Sequence, residues 1–186
     1  MLKFIYSTVN SGKSANLIMR AHSCFERNIE YRVIVPYIAS ARDSISKVAS
    51  RVGFTQEAYS LREDECPFTW IENQSAVKVV FVDEAQFLSR SQVLGLTKIV
   101  DRLQIPVFAY GLRTDFKGEP FEGSTYLMAW SDEIETIGTF CVESEVAVRA
   151  TFNMKIDEFG KQITEGNSID PGFGYAPISR KRFLLK

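Results

Sequence analysis

The sequence predicts an α/β fold, in which helices cover both faces of a parallel sheet. Apolar runs of strand length alternate along the chain with runs whose apolar residues recur at helical spacing. The chain has 186 residues, of which 45% are hydrophobic and 24% are charged, so it can form one sizeable core and a small appendage. We therefore expect one α/β domain followed by a smaller C-terminal unit.

The N-terminal region predicts a strand, a helix and a second strand. Lys3 to Ser7 is the first strand, and the segment from Ser14 to Arg27 follows with helical spacing. Tyr31 to Pro36 is the next strand, since it is short, apolar and β-branched. The inward face of the helix is expected to comprise Leu17, Ile18, Ala21 and Phe25.

The segment from Tyr37 to Gly53 has no regular pattern. It is polar and rich in serine, and it carries Arg42, Lys47 and Arg51. It is either a solvated loop or a loop that closes over ligand phosphates. Composition alone favours the solvated loop.

The middle of the chain predicts the centre of the sheet. Val77 to Val82 is almost continuously apolar, which is typical of a strand covered on both faces. Gln92 to Leu103 returns to helical spacing, and Pro106 to Tyr110 is again a strand. The inward residues of the helix are expected to be Val93, Leu96, Ile99, Val100 and Leu103.

A phosphate-binding motif lies between the first strand and the first helix. The stretch Ser7-Thr-Val-Asn-Ser-Gly-Lys13-Ser14 follows the pattern G-x-x-x-x-G-K-[ST], with Ser7 in place of the first Gly. Consecutive backbone N–H groups and the helix N-terminus favour a polyphosphate there. A chance turn before a helix is the alternative, and the strand–loop–helix context disfavours it. The expected contacts of the phosphates are Ser7, Asn10, Ser11, Gly12, Lys13 and Ser14.

An acidic pair follows the central strand. Asp83 lies at the carboxyl edge of the sheet, where ligands of open α/β folds bind, and it can hold Mg²⁺ opposite Ser14. Strand alternation directs Glu84 away from Asp83, so that one acid can serve the metal and the other a proton. Either acid could instead cap the following helix. Together the motifs predict nucleotide hydrolysis or phosphoryl transfer, without choosing the acceptor.

Charge and cysteine usage narrow the class of partners. A net charge of −1 argues against nucleic-acid binding, and the basic cluster Arg180-Lys181-Arg182 is interpreted as a solvated chain end. We find no apolar stretch of membrane-spanning length and no signal-peptide pattern, so we expect a cytosolic protein without membrane contacts. Three scattered cysteines indicate reduced thiols rather than disulfides.

Further motifs carry a family resemblance. Asp83-Glu-Ala-Gln-Phe87 is followed by Tyr110-Gly-Leu-Arg-Thr-Asp-Phe116 and by a characteristic segment from Gly166 to Phe183. In this order, and with the phosphate motif, the chain resembles the type II thymidine kinases, a family of bacterial, phage and vertebrate cytosolic enzymes. The resemblance implies a P-loop, RecA-like α/β domain over residues 1–137. A small β subdomain with a substrate-closing loop, the lasso, would occupy residues 138–186.

The resemblance also implies roles for single residues. The family transfers the γ-phosphate of ATP to the 5′-hydroxyl of thymidine, giving dTMP and ADP. Lys13 and Ser14 match its phosphate and Mg²⁺ contacts, Asp83 supports the metal, Glu84 is the general base, and Gln86 is assigned to the nucleotide side. The residues matched to the thymidine pocket are Val9, Phe87, Leu112, Phe116, Phe121 and the lasso residue Tyr175. Spacing alone would also fit ordinary core aromatics.

Two departures from the family pattern limit what is carried over. Ser40 replaces an acid that usually precedes the position of Arg42. The family's structural zinc ligands match Cys141, Ser144, Ser179 and Arg182 here, which cannot form the usual tetrahedral site, so we predict no zinc. Without zinc, the subdomain is held by packing, or alternatively the segment from Gly166 to Tyr175 is flexible until substrate binds. Packing would come from Val146, Val148, Phe152, Ile163, Phe173, Ile178 and Phe183.

The family forms homotetramers that dTTP usually inhibits, and both properties are expected here by resemblance only. Two alternatives remain. The protein could be a P-loop ATPase or regulatory nucleotide-binding module in which Glu84 orients water, or a degenerate kinase that binds nucleotide structurally. Retention of Lys13, Ser14, Asp83 and Glu84 argues against the degenerate kinase.

Overall fold

The computed structural model describes residues 1–39, 47–143, 145–167 and 174–185. Its main sheet has six strands, all pairing in parallel, in the order β5-β2-β6-β7-β1-β8. This confirms the predicted α/β class. The strands are β1 (Leu2–Ser7), β2 (Tyr31–Pro36), β5 (Tyr59–Leu61), β6 (Val79–Val82), β7 (Val107–Leu112) and β8 (Glu133–Thr136).

Helices cover both faces of the main sheet. Strand alternation sends Phe4 and Ile5 of β1 to opposite sides, so each face has its own core. One core includes the buried side of α3, and the other includes the buried side of α1. The helices are α1 (Lys13–Glu26), α2 (Pro67–Glu72), α3 (Arg90–Leu103), α4 (Glu122–Trp130) and α5 (Arg180–Leu184), with a 3₁₀ turn over Ala85–Phe87.

The described residues also form three small antiparallel sheets outside this frame. A hairpin joins β3 (Lys47–Ala49) to β4 (Thr55–Glu57). The C-terminal region contains a second hairpin and a three-stranded sheet in the order β12-β11-β13. Its strands are β9 (Thr139–Glu143), β10 (Val146–Ala150), β11 (Phe152–Ile156), β12 (Gln162–Ile163) and β13 (Gly174–Ile178). The predicted boundary between residues 137 and 138 falls between β8 and β9, and the independence of the two units stays a prediction.

Most predicted elements are present, with two errors of burial. Phe25, expected on the inward face of α1, is 67% exposed. The buried residues of that helix are Lys13, Leu17, Ile18 and Ala21. The packed face continues from Ala21 to the half-buried Cys24, three residues further on, and Phe25 lies beside this face at the surface. Val146, expected to pack in the C-terminal unit, is also exposed, at 59%.

The base of the C-terminal sheet is held by packing and hydrogen bonds. The rings of Phe152 and Phe183 stack with centroids 4.2 Å apart, and Ile178 is buried. Glu143 accepts the backbone N–H of Ser179 at 3.2 Å, and the Ser179 hydroxyl accepts the Arg182 N–H at the start of α5. Val148 and Ile163 are half-buried, while Ser144 and Phe173 lie outside the described residues.

The polar segment after β2 is only partly described. Ser40 and Arg42 lie outside the described residues, so the interpretation of that departure is not tested. The part from Lys47 onward forms the β3–β4 hairpin rather than an irregular loop. Across the described ranges, we find no helix with the length and apolar content needed to cross a membrane.

Candidate active site

The phosphate motif forms a loop that leads into a helix N-terminus without a side-chain cap. β1 ends at Ser7 and α1 begins at Lys13, as the motif requires. Gly12 precedes the helix with a φ of 80°, and no side chain caps the helix N-terminus. A β-carbon placed on Gly12 would meet nothing within 4 Å, so open space lies beside the loop. Free amides at a helix N-terminus with open space beside them form a site suited to an anion.

Lys13 is held inside this loop. Its side chain is buried, and the ammonium donates to the Thr8 carbonyl at 2.6 Å and to the Ser11 hydroxyl at 3.3 Å. Burial lowers the Lys13 pKa, while the nearby carboxylates of Glu84 and Asp83 oppose that shift. The cation is therefore poorly solvated and well placed to bind phosphate oxygens.

Asp83 and Ser14 form the expected pair across the loop. The Ser14 hydroxyl donates to Asp83 Oδ2 at 2.9 Å. Asp83 is buried, and its Oδ1 has no hydrogen-bond partner among the described residues. Burial, and then the neighbouring charge of Glu84, raise the Asp83 pKa to about 7. An unpaired carboxylate oxygen beside a serine hydroxyl fits Mg²⁺, which prefers hard oxygen ligands and compensates the buried charge.

Glu84 lies in a strained turn directly after β6. Its φ of 50° is left-handed, which is uncommon for a residue other than glycine. The Gln86 amide donates to Glu84 Oε2, and Gln86 Oε1 accepts the Leu112 N–H at 3.0 Å. Gln86 therefore fixes the acid to the end of β7. The alternation of side chains along β6 does not extend through this turn. The two acids nevertheless point to different partners, since Asp83 contacts Ser14 and Glu84 contacts Gln86.

Two cavities meet at Glu84. One, of about 460 Å³, follows the phosphate loop and is also lined by Ala49 to Val52. The other, of about 120 Å³, is lined mainly by aromatic and apolar side chains. Residues common to both cavities are Val9, Glu84, Leu112 and Tyr175. A carboxylate at the junction can act on a ligand in the smaller cavity and on the phosphates in the larger one.

The smaller cavity, called here the acceptor cavity, has aromatic walls. The rings of Phe87 and Phe121 pack edge to face with centroids 5.6 Å apart, and the ring centroids of Phe116 and Tyr175 are 6.5 Å apart. The buried Tyr175 hydroxyl has no hydrogen-bond partner in the described part of the chain. The cavity can therefore enclose a flat, partly polar ring.

The structure brings the remaining predicted residues close to these cavities, with two differences. Ser7 does not line the phosphate cavity, because its hydroxyl donates to the Ile137 carbonyl. Gln86, assigned to the nucleotide side, instead lines the acceptor cavity. Asn10, Ser11, Gly12, Lys13 and Ser14 all line the phosphate cavity. The roles of these residues stay predictions.

Sequence reasoning missed three residues that shape the site. Asp115 Oδ1 accepts the N–H groups of Lys117 and Glu119, which folds the loop after β7 around the acceptor cavity. Asn153 reaches the phosphate loop from β11. Gly123 lies so close to the 3₁₀ turn that an added β-carbon would be 2.5 Å from the Ala85 carbonyl oxygen. For Asp115 the available signal was an Asp two residues before Lys117, and for Gly123 it was a Gly within a helix. No sequence signal pointed to Asn153.

The fold and site together define a class. The phosphate loop follows β1 and faces an acid at the end of β6, a parallel strand separated from β1 by β7. This arrangement belongs to the P-loop nucleotide-binding α/β proteins.

Comparison with known proteins narrows the class to a family. The family model described as thymidine kinase matches residues 1–178. A thymidine kinase of Coxiella burnetii is 40% identical over 99% of this chain and 95% of its own length. A thymidine kinase of Haemophilus influenzae is 41% identical over 100% of this chain and 95% of its own length. One of Xanthomonas axonopodis pv. citri is 40% identical over 98% of this chain and 88% of its own length. The chain belongs to the thymidine kinase family.

Proposed function

We propose that this protein transfers the γ-phosphate of ATP to the 5′-hydroxyl of thymidine, giving dTMP and ADP. The observation that carries the proposal is the position of Glu84, which lines both the phosphate cavity and the aromatic acceptor cavity. A carboxylate at such a junction can take the proton of an acceptor hydroxyl as phosphorus is attacked, and family membership supports thymidine as the acceptor.

On the donor side, the chain's own groups neutralise and orient the polyphosphate. The amides around Gly12 bind phosphate oxygens, and Lys13 exchanges its contacts with Thr8 and Ser11 for the outer phosphates. Ser14 and Asp83 would hold Mg²⁺, which would offset the negative charge of the phosphates. In-line transfer then depends on the placement of the acceptor hydroxyl.

On the acceptor side, the aromatic walls hold the base and Glu84 receives the proton. As the 5′-oxygen attacks phosphorus, its proton passes to the Glu84 carboxylate, which Gln86 keeps in place. Tyr175 brings a buried hydroxyl without a partner among the described residues to the lasso side of the cavity. A nucleoside polar group there would satisfy it.

Finer properties of the family extend the proposal. We infer a cytoplasmic homotetramer that dTTP inhibits, with Mg²⁺–ATP as donor and no structural zinc. Among the described residues, no group of three His, Cys, Asp or Glu side chains could hold a metal ion. The hydrogen bond between Glu143 and Ser179 supports a metal-free base of the lasso. Metal analysis of the purified protein tests this, since about one zinc per chain would contradict it.

The decisive experiment is ADP release with and without thymidine, combined with detection of dTMP. We expect ADP and dTMP to form together in equal amounts, and little ADP without thymidine. ADP release that ignores thymidine would instead favour an ATPase in which Glu84 orients water.

A further inference from the structure

Asn153 of β11 connects the two substrate cavities through hydrogen bonds. Its side chain is 3% exposed. Asn153 Oδ1 accepts the backbone N–H of Val9 in the phosphate loop at 2.8 Å, and its Nδ2 donates to the Thr114 carbonyl at 3.2 Å. The amide orientation follows from these partners, since only its oxygen can accept from an N–H and only its nitrogen can donate to a carbonyl.

The partners of Asn153 belong to both sides of the reaction. Val9 lines both cavities, while Thr114 and Asn153 line the acceptor cavity. Thr114 follows β7 and lies in the loop that carries Phe116. One planar amide therefore sets the distance between the phosphate loop and a wall of the acceptor cavity.

A second contact joins the same two regions, but it is longer and exposed. Asn10 of the phosphate loop donates to the Tyr175 carbonyl on β13 at 3.4 Å. The Asn153 contacts are shorter and shielded from water, so they constrain the loop more strongly. Because Asn153 and Thr114 line the acceptor cavity, a ligand that fills this cavity would contact both residues and restrict the movement of the Asn153 side chain.

We propose that Asn153 is a positioning residue that couples nucleotide binding at the phosphate loop to filling of the acceptor cavity. This inference rests on the proposed transfer to thymidine. Because such coupling is reciprocal, thymidine should tighten nucleotide binding and nucleotide should tighten thymidine binding by the same factor.

The test measures binding rather than turnover. The affinity for Mg²⁺ and a non-hydrolysable ATP analogue is measured with and without saturating thymidine, and the ratio is the coupling factor. We expect about a tenfold ratio in the unaltered protein. In Asn153→Leu, which keeps the size but removes both hydrogen bonds, the ratio should fall to about one.

The matched control is Gln92→Leu. Gln92 is also buried, and its amide donates to the Arg62 carbonyl at 2.8 Å, but it lies on α3 and lines neither cavity. It should lower thermal stability to a similar extent and leave the coupling factor unchanged. If Asn153→Leu does not fold, Asn153→Asp replaces it, because the acid keeps an acceptor for Val9 but has no donor for Thr114. An intermediate ratio is then expected.

The outcomes separate this inference from the proposed function. An unchanged coupling factor in the Asn153 variants, or a ratio of one in the unaltered protein that still forms dTMP, would overturn the role of Asn153. Absence of thymidine-dependent dTMP formation would overturn the proposed reaction, whatever the coupling factor.

Discussion

The phosphate loop of the donor side comes from one short stretch of chain, whereas the acceptor side is assembled from distant segments. Residues 7–14 form the phosphate loop locally, and Asp83 and the segment from Ala49 to Val52 are added to it from elsewhere. The acceptor cavity instead is lined by strands β11 and β13, by the turn at Glu84 and by the loop after β7. A local site depends on backbone conformation and an assembled one on packing, so the two sides should respond differently to substitution.

The largest effect is expected where the two sides meet. Glu84→Gln keeps an oxygen for the Gln86 amide but cannot accept the proton of the acceptor. We expect kcat to fall about 10³-fold with little change in ATP affinity. The measurement is dTMP formation under steady-state conditions. The control Glu72→Gln removes an exposed acid on α2 and should be neutral, and a normal rate in the Glu84 variant would disprove the base assignment.

The donor side should show its buried charge as a pH dependence. In nucleotide-free and Mg²⁺-free protein the Asp83 pKa is raised to about 7. The folded state then holds a proton that the unfolded state loses above about pH 4, so stability falls as pH rises from about 4 to about 7. Asp83→Asn should lack this fall and gain up to about 4 kcal/mol relative to the unaltered protein above pH 7.

Chemical denaturation at pH 5 and pH 8 measures this difference. Asp101→Asn, an exposed acid on α3, is the control and should follow the unaltered protein at both pH values. Parallel behaviour of Asp83→Asn and the unaltered protein would mean that Asp83 is already ionised without metal.

The acceptor side should depend on close packing at Gly123. A β-carbon there would lie 2.5 Å from the Ala85 carbonyl oxygen and 2.8 Å from that of Leu88, and backbone atoms cannot yield cheaply. Gly123→Ala should cost about 1–3 kcal/mol of stability and raise KM for thymidine more than for ATP. Gly138→Ala is the matched control, since nothing lies within 4 Å of its added β-carbon. Equal thermal stability of the two variants would contradict the packing argument.

The smallest effect is expected at the base of the lasso. Phe183 stacks on Phe152 and also approaches Gly118 in the loop after β7. Phe183→Leu should cost about 1 kcal/mol and weaken thymidine binding slightly, without changing ATP binding. Titration calorimetry with thymidine and with ATP measures the two binding affinities separately. Leu184→Ala, at an exposed neighbour, should change neither, and a loss of ATP affinity in Phe183→Leu would argue against two separable sides.

Prediction from sequence succeeded where the signal was local. The positions of Lys13 and Asp83 could be predicted because a phosphate loop and an acid at a strand end have fixed positions relative to neighbouring elements, while their roles stay predictions. The resemblance assigned Gln86 to the nucleotide side, whereas its side chain lines the acceptor cavity, where the turn at Glu84 places it. The contact of Asn153 with Val9 joins residues 144 positions apart, and nothing in the sequence near either residue indicates it.

By itself, the sequence determined the α/β class, the phosphate loop and the family, because strand period, helix period and motif spacing are properties of short segments. Only the tertiary structure decided that Glu84 lies between two cavities and that Asn153 links them. Those contacts form when distant strands pair and pack, and their geometry depends on register and close approach rather than on residue type alone.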